Sequence, residues 1–539
     1  MYLLISKLIK SKSRLFHSFL VRLCQISVSK KRAQPFCKLY TAPPKDYLEF
    51  AVKSLEDAKT NASRFCIYEH QCLHILDALI KVGRDAIAEF SLEDKASLCH
   101  RICKKNCVAI LTEVKKLIDE CCDVPNYGWL QAVVVLGDVT EHLWFLLKNF
   151  EFYTTLLMKN SHRRESLADQ YMDETGSFGK PDSWMSTKAE FDRVALLGKA
   201  EDLLQSVNSS VQESELATYL VGRLGGKSQL LRVDYKELKR LPGQLGGGAS
   251  AKVYKTSWLE KTFAEKVFQV GSQQDFEHEM SSLERLSHPN VVLMHCYATS
   301  ERECSLILEL MEMDLSGYMF LRRSYPNTSV QGTSPFNLHE ALDIMIQVAE
   351  GMCYLRRKNI VHRDLKPKNI LVSKVKSESV DEDQEGVRVK ISDLGLSVVK
   401  ELSTTYHITM NSGTSVWMAP ELIEFNNHNE DRVRSPDSAN SLKYPYACDV
   451  YSFGMVCYEV LTGQEPFSSH VGQRVALKHK IKDEHLRPVI PEGYPKALTS
   501  LIQNCWNSVP TQRPRIEGIC KELKSQMCLL VTGQLNTGD

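Results

Sequence analysis

The sequence predicts a multidomain chain, an all-α helical bundle followed by an α+β domain, and three observations carry this prediction. Residues 45–160 place apolar side chains at helical spacing, whereas short apolar strands begin near Val233. The third observation is the string VHRDLKPKNIL at 361–371, which runs into the apolar strand NILV. A chain of 539 residues is long enough for roughly two to four domains.

The composition excludes several classes of protein. A net charge of +1 gives no general attraction to polyanions, so we expect no nucleic-acid partner. The 17 cysteines lie mostly in apolar segments, as Cys99, Cys103 and Cys107 do, and no matched C-x-x-C pairs suggest a zinc site. We therefore expect buried, reduced thiols in a cytoplasmic protein. The sequence contains no run of about eighteen apolar residues, so we predict no transmembrane helix.

Residues 1–44 differ in character from the rest. Leucine, isoleucine and phenylalanine recur there at helical spacing, lysine and arginine lie between them, and the first acidic residue is Asp46. The pattern predicts a basic amphipathic helix, which can associate with an anionic membrane surface. It is equally typical of an organellar targeting peptide, and a third interpretation is an extension that arises from a wrong start codon. All three stay open.

Residues 45–160 are predicted to form the helical bundle. Apolar residues recur at i, i+3, i+4 and i+7 in three segments, near 47–90, 93–120 and 129–159. Nothing in these segments has the spacing of a catalytic site, so the histidines are interpreted as ordinary helix residues: His70, His74 and His100.

Residues 161–232 are predicted to be a linker and a brace-like helix. The stretch 161–184 is polar and contains glycine, proline and serine, and a helical pattern follows near 186–207.

The string VHRDLKPKNIL carries three side chains that suit phosphoryl transfer. Asp364 can orient a substrate hydroxyl and accept its proton, and Lys366 can neutralise charge on the transferred group. Asn369 can hold a magnesium ion. A chance HRD tripeptide does not explain the whole string together with the strand that follows it.

A glycine-rich turn, LGGGASAKVY at 245–254, lies between two apolar strands. Gly246 and Gly248 would let backbone amides approach a nucleotide's phosphates, and Val253 would cover the base. Ala251 stands where a third glycine is expected; its methyl group should be tolerated. Glycine clusters also form plain hairpins, so this signal is weak by itself.

The next strand, TFAEKVF, places Lys266 after Ala264 among apolar neighbours, where a lysine needs a partner. Glu279 follows thirteen residues later on an amphipathic helix, and such a pair would align the ammonium on the α- and β-phosphates. Glu277 lies on the same helix, but the FxxE spacing favours Glu279.

Two further segments complete the set. The strand LILELM at 306–311 would place Leu308 at the back of a nucleotide pocket, with the backbone of Glu309 to Met311 pairing with adenine. In KISDLGLS at 390–397, Asp393 offers a hard oxygen ligand for the magnesium ion. Leu394, at a position where phenylalanine is usual, changes only an apolar packing residue.

In this order and at these spacings, the motifs resemble the protein kinase superfamily over about residues 235–530. The resemblance implies a bilobal α+β protein kinase fold over 233–530, with a tail at 531–539, and ATP and Mg²⁺ as cofactors. DVYSFGMV at 449–456 resembles the helix that supports the catalytic loop, and Arg513 would pair with Glu421. At the positions of Lys366 and Thr414 the chain resembles serine/threonine kinases rather than tyrosine kinases. Serine/threonine kinases transfer the γ-phosphate to protein hydroxyls in intracellular signalling. HPNVV at 288–292 and CWNSVPTQRP at 505–514 resemble the tyrosine-kinase-like group.

The kinase resemblance also implies an activation segment between Asp393 and Glu421. Arg363 resembles the arginine that receives a phosphate on this segment. We hypothesise activation by phosphorylation at Thr404, Thr405 or Thr409.

The order of bundle, brace-like helix and kinase domain resembles the plant mixed-lineage-kinase-domain-like proteins, through YEHQCLHILDAL at 68–79 and RPVIPEGYPKALTSLIQNCW at 487–506. This resemblance implies an alternative function, a weakly active kinase or pseudokinase whose bundle forms homo-oligomers or engages membranes in immunity or cell death. The chain departs from the pseudokinase pattern because it keeps the catalytic residues.

Overall fold

The structure is a computed structural model in which residues 46–539 form one compact unit. It describes residues 47–60, 65–89, 98–122, 128–157, 181, 183–206, 209–226, 230–248, 250–269, 271–284, 286–324, 334–375, 386–395, 397–399, 416–422, 445–470, 474–531 and 534. The basic segment 1–44 and the activation-segment threonines, Thr404, Thr405, Thr409 and Thr414, lie outside these residues.

The N-terminal half of the described chain is helical, in agreement with the prediction. Its helices are α1 (Tyr47–Thr60), α2 (Glu69–Glu89), α3 (Leu98–Cys121), α4 (Gly128–Leu136), α5 (Thr140–Leu157), α6 (Ser183–Gln205) and α7 (Val211–Leu224). Helices α1 to α5 form the bundle, in which α3 packs against α5 and α1 lies beside α2 and α3.

Two of the predicted helical segments are each divided in two. Between α1 and α2, Tyr68 has φ +52°, and Phe65 forms an isolated β-bridge with Cys122. Between α4 and α5, Gly137 has φ +68°, and the Asp138 carboxylate accepts from the Thr140 N–H at 2.9 Å. The left-handed Gly137 ends α4, and the Asp138 side chain bonded to a following N–H begins α5. Tyr68, in contrast, directly precedes α2.

The brace-like helix predicted near 186–207 is α6, and a buried carboxylate joins it to the bundle. Asp192 accepts from the backbone N–H groups of His70 and Gln71, at 3.0 and 2.9 Å, and so satisfies the N-terminus of α2. The Nδ1 atom of His70 lies 2.8 Å from the same carboxylate. His70 is therefore an interhelical contact residue.

The α+β domain begins with a five-stranded antiparallel sheet in the order β1-β2-β3-β5-β4. Its strands are β1 (Lys239–Gly247), β2 (Ala251–Trp258), β3 (Lys261–Phe268), β4 (Met294–Thr299) and β5 (Cys304–Leu308), and helix α8 (Gln273–Leu283) follows β3. We call residues 239–308 the small lobe.

The large lobe, residues 313–531, is mainly helical. It contains β6 (Met313–Asp314), α9 (Leu315–Ser324), α10 (Leu338–Arg357), β7 (Ile360–Val361), β8 (Ile370–Val375), β9 (Gly386–Ile391), β10 (Val398–Val399), α11 (Pro445–Thr462), α12 (Arg474–Lys482), α13 (Lys496–Cys505) and α14 (Ile516–Val531). Strands β6, β8 and β9 form a small sheet, and β10 pairs with β7. Helix α10 packs against α11 and α14 to form the centre of the lobe.

The buried apolar residues of the bundle and of both lobes form one continuous cluster. Within the described residues the cysteines are free thiols and mostly buried, as the sequence predicts. Across the described part of the chain, no single helix is long and apolar enough to span a membrane, although α4 and α5 together pass by length and composition with a 64° bend between them.

Candidate active site

The string VHRDLKPKNIL begins with the last residue of β7 and contains the loop that follows it. Asp449 of α11 holds the backbone of this loop. The Asp449 carboxylate accepts from the N–H groups of His362 at 2.7 Å and Arg363 at 2.8 Å. Asp449 is buried, and this burial raises the pKa of its carboxyl. Arg363 has φ +66°, a conformation that costs a residue other than glycine about 1–3 kcal/mol. The two bonds to Asp449 therefore hold the loop in a strained conformation.

The predicted catalytic side chains converge in this loop. Asp364 Oδ2 accepts from Lys366 Nζ at 2.6 Å and from Asn369 Nδ2 at 3.0 Å. A second bond from Asn369 Nδ2, to the Asp364 main-chain oxygen at 2.8 Å, fixes the orientation of the amide. Both side-chain bonds that the described residues make to the Asp364 carboxylate use Oδ2, so Oδ1 is the candidate to receive a substrate proton. The Asn369 amide oxygen is a candidate metal ligand.

Lys266, Glu279 and Asp393 form a second charged cluster. Lys266 Nζ lies 2.7 and 2.6 Å from the two Glu279 carboxylate oxygens and 2.9 Å from Asp393 Oδ1. The predicted Lys266–Glu279 pair is thus formed, whereas the rival Glu277 is exposed and bonds to Gln273.

The charges of this cluster follow from burial and from the lysine. Burial raises the pKa of Glu279 to about 7, although Lys266 opposes the rise. The Lys266 ammonium lowers the pKa of Asp393 to about 2. For Lys266 burial favours the neutral amine, but Asp393 and Glu279 outweigh burial and raise its pKa. Lys266 and Asp393 are therefore both charged at neutral pH.

Gly395 and Ser397, which follow Asp393, lie against α8. Leu394 is fully buried, as expected of an apolar packing residue, and the Ser397 hydroxyl donates to Ser282 Oγ at 2.9 Å. A Cβ on Gly395 would lie 3.2 Å from a Glu279 carboxylate oxygen and 3.4 Å from Asp393 Oδ1. Glycine at this position lets the backbone approach the cluster closely.

The glycine-rich turn connects β1 and β2 as a hairpin. Gly246 pairs with Val253, and the Gly248 N–H donates to the Ala251 carbonyl at 2.8 Å. A Cβ built on Gly246 or Gly248 would meet no atom of another described residue within 4 Å, which leaves open space beside the turn in the described part of the chain. The Ala251 methyl is buried within β2, and it therefore does not obstruct the open side of the turn.

The residues expected around a nucleobase lie on neighbouring strands. Val253 pairs with Lys266 in register, and Ala264 pairs with Leu308. After Leu308, the Glu309 N–H donates to the Leu293 carbonyl at 2.9 Å. The backbone of 309–311 thus begins at the end of β5, next to Ala264, and its pairing with adenine stays a prediction.

A buried ion pair fixes the end of the activation segment. Arg513 Nη1 and Nη2 lie 2.5 and 2.9 Å from the two Glu421 carboxylate oxygens, and Arg513 is fully buried, which confirms the predicted pair. Arg513 Nη1 also donates to the Ala447 carbonyl at 2.8 Å. Nearby, Trp417 Nε1 donates to Glu459 at 3.1 Å, and burial raises the pKa of Glu459 to about 8.

The residues present fit a nucleotide with a magnesium ion. Asp393 is 47% exposed despite its bond to Lys266, so its carboxylate is accessible, and Asn369 supplies an amide oxygen. Within the described ranges, no three His, Cys, Asp or Glu side chains gather as a metal site of their own. Mg²⁺ commonly binds one or two carboxylates and completes its shell with phosphate and water oxygens, which matches this donor set.

Sequence reasoning missed one pair near the site, Lys390 with Glu309, which are joined at 2.8 Å. Its only sequence signal is Lys390 within the apolar strand VRVKI, where a lysine needs a partner, just as Lys266 does.

A family of known proteins matches most of the α+β domain. Residues 240–523 match the family model described as protein tyrosine and serine/threonine kinase. This range contains all the side chains placed in the site above.

Individual relatives extend this similarity. The chain is 33% identical over 506 residues to a protein named "Light-sensor Protein kinase" of Ceratodon purpureus, covering 90% of this chain and 36% of that protein. It is 30% identical over 296 residues to mitogen-activated protein kinase kinase kinase 7 of Homo sapiens, covering 54% of this chain and 42% of that protein. The dual specificity protein kinase shkE of Dictyostelium discoideum is 32% identical over 286 residues, with 52% and 35% covered. The chain therefore spans less than half the length of these relatives, and the Ceratodon match extends beyond the kinase domain into the helical region.

Proposed function

Since the chain belongs to the protein tyrosine and serine/threonine kinase family, we propose that it is an active serine/threonine protein kinase that uses ATP and Mg²⁺ to phosphorylate protein hydroxyls. One observation carries the proposal: Lys266, Glu279, Asp364, Asn369 and Asp393 are all present and bonded in two clusters that suit nucleotide binding and proton acceptance. The relatives that are named as protein kinases support the same activity. This complete set disfavours the pseudokinase alternative.

When bound, MgATP supplies the γ-phosphoryl group. Lys266, held by Glu279, places its ammonium beside Asp393, where phosphate oxygens need a positive charge. Asp393 and Asn369 are the residues that would hold the metal ion.

In the catalytic loop, Asp364 orients the serine or threonine hydroxyl and accepts its proton at Oδ1. Lys366, 2.6 Å from Oδ2 of the same carboxylate, adds positive charge where negative charge develops. The strained loop keeps these groups in one geometry, which is the main task of a protein in phosphoryl transfer.

The test is peptide phosphorylation by the purified full chain, wild type against Lys266→Met. We expect transfer by the wild type and a loss of at least about 100-fold in the variant, since an electrostatic stabiliser of the transition state is removed. Equal, background-level signals from both proteins would reject the proposal. Saturable ADP binding by the wild type serves as the control for folding.

We propose further that the protein acts in the cytoplasm and that the basic segment 1–44 brings it to anionic membrane surfaces. The alternation of basic and apolar residues in that segment supports this proposal. The full chain should float with vesicles containing about 30% phosphatidylserine and not with neutral vesicles; equal flotation with both, or none, would contradict it. Self-association, proposed from the resemblance of the bundle, is checked by sedimentation velocity of the same sample.

A further inference from the structure

Lys390 and Glu309 form an ion pair that the catalytic reaction does not require directly. The Nζ–Oε1 distance is 2.8 Å, and the Lys390 side chain is 8% exposed. The same Glu309 oxygen accepts from the Leu293 N–H at 2.7 Å, while the Glu309 N–H donates to the Leu293 carbonyl at 2.9 Å. Glu309 is thus fixed through its backbone, its carboxylate and its ion pair.

The pair connects two parts of the nucleotide site. Lys390 lies on β9, three residues before Asp393, and Glu309 begins the segment 309–311 predicted to pair with adenine. Strand β9 is itself anchored, because Ile391 donates its N–H to the Asn290 carbonyl at 2.9 Å. A fixed lysine therefore holds the first residue of the adenine-binding segment in place.

We propose that Lys390 is a positioning residue that orders the backbone of 309–311 through Glu309 and so sets nucleotide affinity. The inference rests on the proposed function, since it assigns a role within the same site. It predicts an effect on nucleotide binding and little effect on the chemical step, because Lys390 contacts neither Asp364 nor Lys366 in the described contacts.

Lys390→Met keeps an unbranched side chain and removes the charge, which leaves the Glu309 carboxylate partly buried without its cation. We expect the KM for ATP and the Kd for ADP to rise about 5- to 30-fold, with kcat within about 3-fold, the signature of lost uniform binding. Lys390→Arg should restore both constants to within about 3-fold.

Unchanged Kd and KM in Lys390→Met, or a fall in kcat alone, would overturn the inference. If Lys390→Met does not fold, Glu309→Gln keeps an acceptor for Leu293 and removes the charge. Glu309→Gln should still raise the Kd for ADP at least about 3-fold. An unchanged Kd for ADP would contradict the inference. Because ADP binding is measured without phosphoryl transfer, failure of this inference is distinguishable from failure of the proposed function, which the Lys266→Met assay decides.

Independently, two helices of the bundle each contact both lobes. In α3, Glu113 pairs with Arg388 of β9 in the large lobe, and Glu120 lies 3.3 Å from Lys261 of β3 in the small lobe. Seven residues separate the two glutamates, which is about two turns of helix. One rigid element thus links the lobes.

Helix α5 repeats this arrangement. Phe145 packs edge-on against His288 of the small lobe, with ring centroids 4.3 Å apart. Farther along the helix, the Tyr153 hydroxyl donates to Asp343 of α10 at 2.7 Å. His288 is 3% exposed at this contact, and its burial lowers the pKa of the imidazole well below its usual value.

We infer that the bundle is an intramolecular clamp that restrains opening of the cleft between the lobes. Lobes joined only by a short connection rotate readily, and a packed body that touches both restricts this motion. The clamp therefore slows nucleotide exchange. This inference also rests on the proposed function.

The test uses the full chain and the dissociation rate of a fluorescent ADP analogue, followed by stopped-flow. Glu120→Lys, which faces Lys261, should dissociate the analogue about 3- to 10-fold faster, and the swap Glu120→Lys with Lys261→Glu should return the rate to within about 2-fold. Arg84→Ala, which removes a pair to Glu56 inside the bundle, is the matched control and should leave the rate unchanged.

An unchanged dissociation rate in Glu120→Lys and also in the double variant Glu113→Gln with Tyr153→Phe would overturn the clamp. If Glu120→Lys does not fold, the double variant alone decides, because it removes contacts without adding a charge. A faster rate in the Arg84→Ala control equal to that in Glu120→Lys would also overturn it, since the effect would then reflect general bundle stability.

Discussion

Replacing Asp449 with asparagine perturbs the catalytic loop from behind, without changing a residue that faces the substrate. The wild-type carboxylate accepts two N–H bonds at 2.7 and 2.8 Å, and asparagine can accept only one of them. A hydrogen bond to a charged group contributes about 1.5–3 kcal/mol, and the amide NH₂ additionally faces a donor. The strain at Arg363, about 1–3 kcal/mol, is of the same size as the lost bond. The loop should therefore leave its strained conformation for much of the time.

We expect kcat to fall about 10- to 100-fold in Asp449→Asn, since about 1.4 kcal/mol corresponds to a factor of ten. The Kd for ADP should stay within about 3-fold, because the groups that bind nucleotide lie mainly in the small lobe. The assay is steady-state peptide phosphorylation combined with ADP titration of the same preparation.

A thermodynamic cycle tests the physical reason. In an Arg363→Gly background, the left-handed conformation is no longer strained, so Asp449→Asn should cost less, about 10-fold or under. An equal loss in both backgrounds, or a kcat within about 3-fold of wild type in the folded single variant, would refute the reasoning.

Two further predictions concern charge. Burial raises the pKa of Glu279 to about 7, above the usual value for a carboxyl, so its ionised form is lost as the pH falls through 7. We therefore expect kcat/KM for ATP to decrease below pH 7. The pH profile of Glu279→Gln should lack this titration. A profile that is the same in both proteins would contradict that assignment. Glu421→Gln leaves the buried Arg513 guanidinium without its carboxylate and should lower the free energy of unfolding by about 2–4 kcal/mol in urea titrations, whereas a change under about 0.5 kcal/mol would be contrary.

The sequence was sufficient for the parts of the site that are local in the chain. Asp364, Lys366 and Asn369 lie within one loop, so their spacing alone brings them together. Lys266 and Glu279 lie on a strand and the helix that follows it, and a lysine between apolar residues already requires a nearby acid.

The contacts between distant segments were not predictable in this way. Lys390 and Glu309 are far apart in sequence, and neither has a spacing that names its partner. The bundle's contacts to both lobes depend on surface complementarity, which helical periodicity does not encode. Helix α7 was not predicted, although its capping box, formed by Ser210 and Glu213, is a sequence signal for the start of a helix.

The most direct test of the account is phosphoamino-acid analysis of a protein substrate incubated with radiolabelled ATP, Mg²⁺ and the full chain, wild type against Asp364→Asn. The account predicts phosphoserine and phosphothreonine with the wild type and a loss of at least about 100-fold in the variant, with ADP binding retained. Transfer by Asp364→Asn at the wild-type rate, or none by a wild type that binds ADP, would contradict it.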